Sequence, residues 1–85
     1  MEELQLDQLD LQGALDEKSQ KLLEKYKNLY FLTLNDCGLS SLLNFPDLPN
    51  LVRLELIDNK LPAAELSHLS NLSNLHLLFI GGKDN

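Results

Sequence analysis

Leucines along this chain recur in a fixed frame. Leu29-x-x-Leu32-x-Leu34-x-x-Cys37-x-Leu39 returns as Leu51-x-x-Leu54-x-Leu56-x-x-Asn59-x-Leu61, at an offset of 22 residues. Inside each frame leucine alternates with other residues over a short run, the two-residue period of a strand with one buried face. The frame predicts strands at residues 31–34 and 53–56. Cys37 and Asn59 fall where the chain must turn off the sheet. An asparagine there bonds backbone groups of the neighbouring turn, and cysteine substitutes for it.

The segments between the frames differ in kind. Asp16 to Lys27 reads as a helix, with Asp16 as N-cap, Glu17 in the first turn and Lys25 and Lys27 in the last. Leu15, Leu22, Leu23 and Tyr26 should cover one side of the core. Phe45-Pro46-Asp47-Leu48-Pro49-Asn50 carries two prolines and should be extended or 3-10. Pro62 to Leu69 is a better helix, with proline suited to its first turn.

At the N-terminal end Leu6-x-x-Leu9-x-Leu11 fits a degenerate copy of the frame, which places a first strand at residues 8–11. At the other end Leu75-x-x-Leu78-x-Ile80 opens a further copy with strand four at residues 77–80. Lys83 then stands where asparagine is due.

An offset of 22 residues lies in the range of leucine-rich repeats. The expected architecture is an α/β solenoid: a parallel sheet on the concave face, short helices or 3-10 turns on the convex face. One domain over residues 1–85 divides into a capping repeat at 4–28, repeats at 29–50 and 51–74, and an incomplete repeat at 75–85. Terminal repeats of such stacks are atypical because they cap the apolar layers. The last repeat lacks a polar cap, so Leu78 and Ile80 mark an edge for self-association and a homodimer.

Leucine takes 24 of the 85 positions and tryptophan none. The net charge of −6 has an uneven origin. Residues 1–17 carry Glu2, Glu3, Asp7, Asp10, Asp16 and Glu17 with no lysine or arginine, while acids and bases cancel over the rest. Such a surface repels phosphate backbones and attracts basic proteins, which argues against nucleic acid as a direct partner. One cysteine excludes an internal disulfide. No apolar run is long enough for a membrane span, and the acidic start does not resemble a signal peptide. A reducing compartment is expected.

Catalytic constellations are missing from the pattern. His68 and His76 lie on different elements without a cysteine or acid at metal-ligand spacing. No phosphate loop, nucleophile elbow or zinc-protease motif occurs. Cofactor and metal are therefore expected to be absent, and the chain is not expected to be an enzyme. Gly81-Gly82 reads as a turn pair.

The face worth attention is the outward side of the strands. In the repeat register it holds Phe31, Thr33, Asn35 and Asp36, then Arg53, Glu55, Ile57 and Asp58, then Leu77 and Phe79. Ranks should form across strands: Phe31, Arg53 and Leu77 in one, Thr33, Glu55 and Phe79 in the next. Apolar side chains ringed by Asp and Glu have the make-up of a protein-contact patch.

Glu24-Lys25-Tyr26-x-x-Leu29-x-Phe31-Leu32, then Gly38-Leu39-x-Ser41, then Leu48-x-x-Leu51-x-x-Leu54-Glu55-Leu56-x-Asp58-Asn59 resembles the acidic leucine-rich nuclear phosphoprotein-32 family. The likeness is to the family's N-terminal repeats, without its acidic tail. It implies a right-handed solenoid with a helical N-terminal cap and no enzymatic activity. It also implies residence in nucleus and cytoplasm, with histones and protein phosphatase 2A as partners, the phosphatase being inhibited.

Overall fold

Among the described residues four short strands carry the fold. The computed structural model describes residues 2–82. In chain order they hold β1 (Glu2–Gln5), helix α1 (Glu17–Glu24), β2 (Leu29–Thr33), β3 (Arg53–Glu55), a 3-10 helix (Ala63–Leu69) and β4 (Leu77–Phe79). The strands form one parallel sheet in the order β1-β2-β3-β4, an α/β arrangement with few helices. Each strand lies beside its sequence neighbour because every connection crosses back behind the sheet, as parallel pairing requires.

The inward leucines make the core. Leu29, Leu32, Leu34, Leu39, Leu51, Leu54 and Leu56 are all buried, stacked layer on layer by the register Leu4↔Leu32, Leu32↔Leu54 and Leu54↔Leu78. Each fully buried leucine contributes about 1.5–3 kcal/mol relative to an exposed one. Behind the sheet Leu42, Phe45, Pro46 and Leu48 close the core in an extended segment, and Leu69 and Leu72 continue it.

The first strand is not where the leucine frame placed it. It runs over Glu2–Gln5 rather than residues 8–11, so Leu4 and Leu6 fill the inward slots and Leu9 is 46% exposed. Two overlapping leucine alternations compete in this segment, and the other one pairs with β2. The extra length is absorbed by left-handed backbone at Gln8, Gln12 and Gly13, before Gly13 rejoins the stack in a parallel bridge to Leu39. In α1, Leu23 and nearby Leu15 are buried as expected. Leu22 and Tyr26 instead face solvent, because the helix is only eight residues long and offers one narrow inward stripe.

Two asparagine ladders tie the repeats together. Asn59 accepts from the backbone N–H of Cys37 (2.9 Å) and Leu39 (3.1 Å) and donates to the carbonyl of Leu34 (2.9 Å). The second ladder precedes the strands. Asn50 donates to the Lys27 carbonyl (2.8 Å) and Asn74 to the Pro49 carbonyl (2.6 Å), each reaching back one repeat. Cys37 is buried with its thiol 3.2 Å from the Leu6 carbonyl, and burial raises its pKa above the ordinary thiol value. Lys83, expected in the third asparagine slot, lies outside the described residues.

Candidate protein-binding face

Strand pleating sends alternate residues of each strand to the side away from the core. Register then decides who meets whom. The first rank runs Glu3, Phe31, Arg53, Leu77 and the second Gln5, Thr33, Glu55, Phe79. Both ranks agree with the pairing expected for β2, β3 and β4.

Arg53 is the centre of this face. Its guanidinium lies 4.7 Å from the ring centroid of Phe31 and 4.7 Å from that of Phe79, a cation–π contact on each side. Its Nε and Nη2 both donate to Glu55 Oε2, at 3.1 and 2.8 Å. Glu55 Oε1 accepts from Asn35 Nδ2 (3.0 Å), and Asn35 Oδ1 accepts from the Ile57 backbone N–H (2.7 Å). A polar chain from Arg53 to the backbone after β3 thus fixes three side chains that the frame had placed separately. The Glu55 side chain is 15% exposed and that of Arg53 39%, so the anion is the more buried partner.

Asp36 and Asp58 occupy the turns that follow β2 and β3. Both have left-handed backbone, at φ 55° and 62°, which aspartate tolerates better than most residues. Their backbone N–H groups donate to the carbonyls of Ile57 and Gly81. Asp36 is exposed and Asp58 and Ile57 half-buried. Gly82 takes the equivalent place after β4 with φ 127°, where a Cβ would collide with Asp58.

Of the ten residues expected on this face, Thr33 alone offers no surface. It is 3% exposed and its hydroxyl has no hydrogen-bond partner, because β1 and β3 flank it on both sides. Leu77 and Phe79 are exposed, as is Leu78 on the opposite side of β4, and Ile80 is half-buried.

The corrected place of β1 adds residues that the leucine frame missed. Asp7 accepts from the backbone N–H of Asn35 (2.9 Å), and Glu3 accepts from the hydroxyl of Tyr30 (2.8 Å). That bond holds the Tyr30 phenol above its usual pKa. The Leu4-x-Leu6 alternation carried the signal. With Asp36, Glu55 and Asp58, these acids lie on or beside the outward face, and Glu55 is the one that pairs with Arg53.

Among the described residues no cluster of His, Cys, Asp and Glu could hold a metal, and no helix is long and apolar enough to cross a membrane. His68 lies 3.7 Å from Glu65, and His76 Nδ1 lies 2.6 Å from the Asn74 carbonyl.

No family model matches the chain, and no solved structure matches it. Curated relatives do. A protein from Tetrahymena thermophila that is named as a histone is 38% identical over 66 residues, covering 78% of this chain and 17% of that protein. An acidic leucine-rich nuclear phosphoprotein 32-related protein from Plasmodium falciparum is 38% identical over 83 residues, covering 91% of this chain and 30% of that protein. Family member A from Drosophila melanogaster is 35% identical over 78 residues, covering 92% of this chain and 30% of that protein. The chain spans less than a third of the length of these relatives. It belongs to the acidic leucine-rich nuclear phosphoprotein 32 family.

Proposed function

We propose that this chain is a leucine-rich-repeat solenoid that acts as a non-catalytic protein-binding module of the nucleus, and that the outward face of its sheet takes a basic segment of a partner. The supporting observation is the make-up of that face. Glu3, Asp7, Asp36, Glu55 and Asp58 share this side of the sheet and its following turns with Phe31, Ile57, Leu77 and Phe79, and Arg53 is held by Glu55. Apolar residues contribute contact energy, and the acids steer and orient a cationic partner. The repeated frame, the parallel register and the asparagine ladders support the solenoid, with right-handed crossovers as the general rule for such connections. Each repeat unit supplies one strand and one convex segment, over residues 29–50 and 51–74.

Of the two partner classes implied by the family, an acidic face favours a histone-like basic segment over a phosphatase surface. Names of relatives point the same way, to nuclear phosphoproteins and to a histone. Calorimetric titration with a lysine- and arginine-rich histone-tail peptide tests this. Phe79→Ala should weaken binding by about tenfold or more, as loss of a central aromatic contact does. Rising salt should weaken it further. A peptide whose affinity ignores Phe79→Ala and Asp36→Asn would refute this face as the site.

A second reading rests on β4. Leu78 continues the buried column of Leu32 and Leu54 yet is 37% exposed. Self-association through that layer would give a dimer in light scattering that Leu78→Lys abolishes.

A further inference from the structure

The slot between Phe31 and Phe79 already recognises a guanidinium, the chain's own. We infer that Arg53 is an internal stand-in for a partner's cation: an incoming arginine or lysine side chain replaces it between the two rings and pairs with Glu55. The inference deepens the proposed docking of a basic segment and rests on that reading.

Three features of the site carry it. Two aromatic faces, each 4.7 Å from the guanidinium, form the walls, and they are carried by β2 and β4, the strands on either side of Arg53. Glu55 stays in place when Arg53 leaves, because Asn35 still holds Oε1 and is itself fixed by the Ile57 backbone. A carboxylate that is mostly buried and without its counter-ion is a strong receptor for a new cation.

Arg53 is also the more accessible member. Its side chain is the more exposed of the pair, and its bonds to Glu55 converge on a single oxygen. Beside Glu55 in the same rank lies Thr33, whose buried hydroxyl lacks a partner. An ammonium brings three donors and a guanidinium five. The resident pairing leaves that acceptor unused.

The exchange has a directional consequence. If Arg53 anchored an anionic partner, its removal would weaken binding. As a stand-in it competes with the partner, so its removal strengthens binding.

The test uses the whole chain in three forms: wild type, Arg53→Ala, and Arg53→Ala with Phe79→Ala. Each is titrated in NMR experiments with methylguanidinium chloride against matched sodium chloride, then with an arginine-rich peptide. Methylguanidinium should perturb the β2–β4 face of Arg53→Ala but not of wild type or the double variant. The peptide should bind Arg53→Ala about three- to tenfold more tightly than wild type, the range of one cation–π contact. In wild type the Arg53 Nε–H signal, shifted by both rings, should move to the position of free arginine as the peptide saturates.

Weaker peptide binding by Arg53→Ala, with an unmoved Nε–H signal in wild type, overturns the inference and makes Arg53 an anchor. If the peptide binds none of the three proteins, the docking reading fails, and methylguanidinium binding to Arg53→Ala alone then upholds or overturns the slot. Arg53→Gln keeps the stem and loses the charge, and replaces the alanine variant should that one not fold.

Discussion

The amide of Asn59 is 1% exposed and fully used, with two backbone donors of the preceding repeat on its oxygen and one carbonyl on its nitrogen. Asn59→Ala removes all three bonds and leaves buried backbone groups unsatisfied. At about 1–3 kcal/mol for each group left unpaired, the expected loss is about 3 kcal/mol or more, read as a lower urea midpoint. Cys37 occupies the matching slot one repeat earlier and contributes packing rather than an amide fork. Its thiol is buried and its pKa raised by that burial, so the nucleophilic thiolate is suppressed in the folded state. Labelling by a thiol reagent should therefore proceed at the rate of unfolding. Rapid labelling of the native protein would show that the first repeat opens on its own.

At the scale of elements, caps and carboxylate clips set the acid behaviour. Asp16 caps α1 by accepting the Ser19 backbone N–H at 2.8 Å, and that bond lowers its pKa from 3.8. Glu65, in the 3-10 helix, accepts the Leu42 backbone N–H at 3.0 Å, and this bond with the Ser41 hydroxyl lowers its pKa from 4.5. A carboxyl with a lowered folded pKa stabilises fully above its unfolded value, and that contribution disappears as pH falls through the folded one. Stability should therefore decline below about pH 5, and Glu65→Gln should flatten the decline. Asp16→Asn should flatten it too while keeping a cap, because asparagine caps as well as aspartate.

The same elements show what the sequence makes legible. Strands β2, β3 and β4 follow from leucine alternation, and the ranks across them follow from the 22- and 24-residue offsets of Leu29, Leu51 and Leu75. β1 did not follow, since Leu4-x-Leu6 and Leu6-x-x-Leu9-x-Leu11 satisfy the same template and only pairing with β2 decides between them. The outward residues were legible by position. That Arg53 would lie between two rings was not, because side-chain contacts across ranks are set by rotamers and not by register.

For the molecule as a whole, one repeat slot has different values in different layers. Leu54 lies between Leu32 and Leu78 in the stacked column and is 0% exposed. Leu78 holds the same slot in β4 and is 37% exposed. Deleting the Leu54 side chain removes buried methyl groups and leaves a cavity, so Leu54→Ala should cost about 3 kcal/mol. Leu78→Ala removes atoms that already touch water, and less than about 1 kcal/mol is expected. Urea unfolding of both variants at low protein concentration measures the difference directly. Comparable losses at the two sites would mean that the outer face of β4 is covered in solution. Repeating the pair at a hundredfold higher concentration then identifies the cover. A second copy makes the cost of Leu78→Ala rise with concentration, because stabilisation by association follows mass action. A cost that stays small at both concentrations means that no second copy covers β4 and removes the dimer reading.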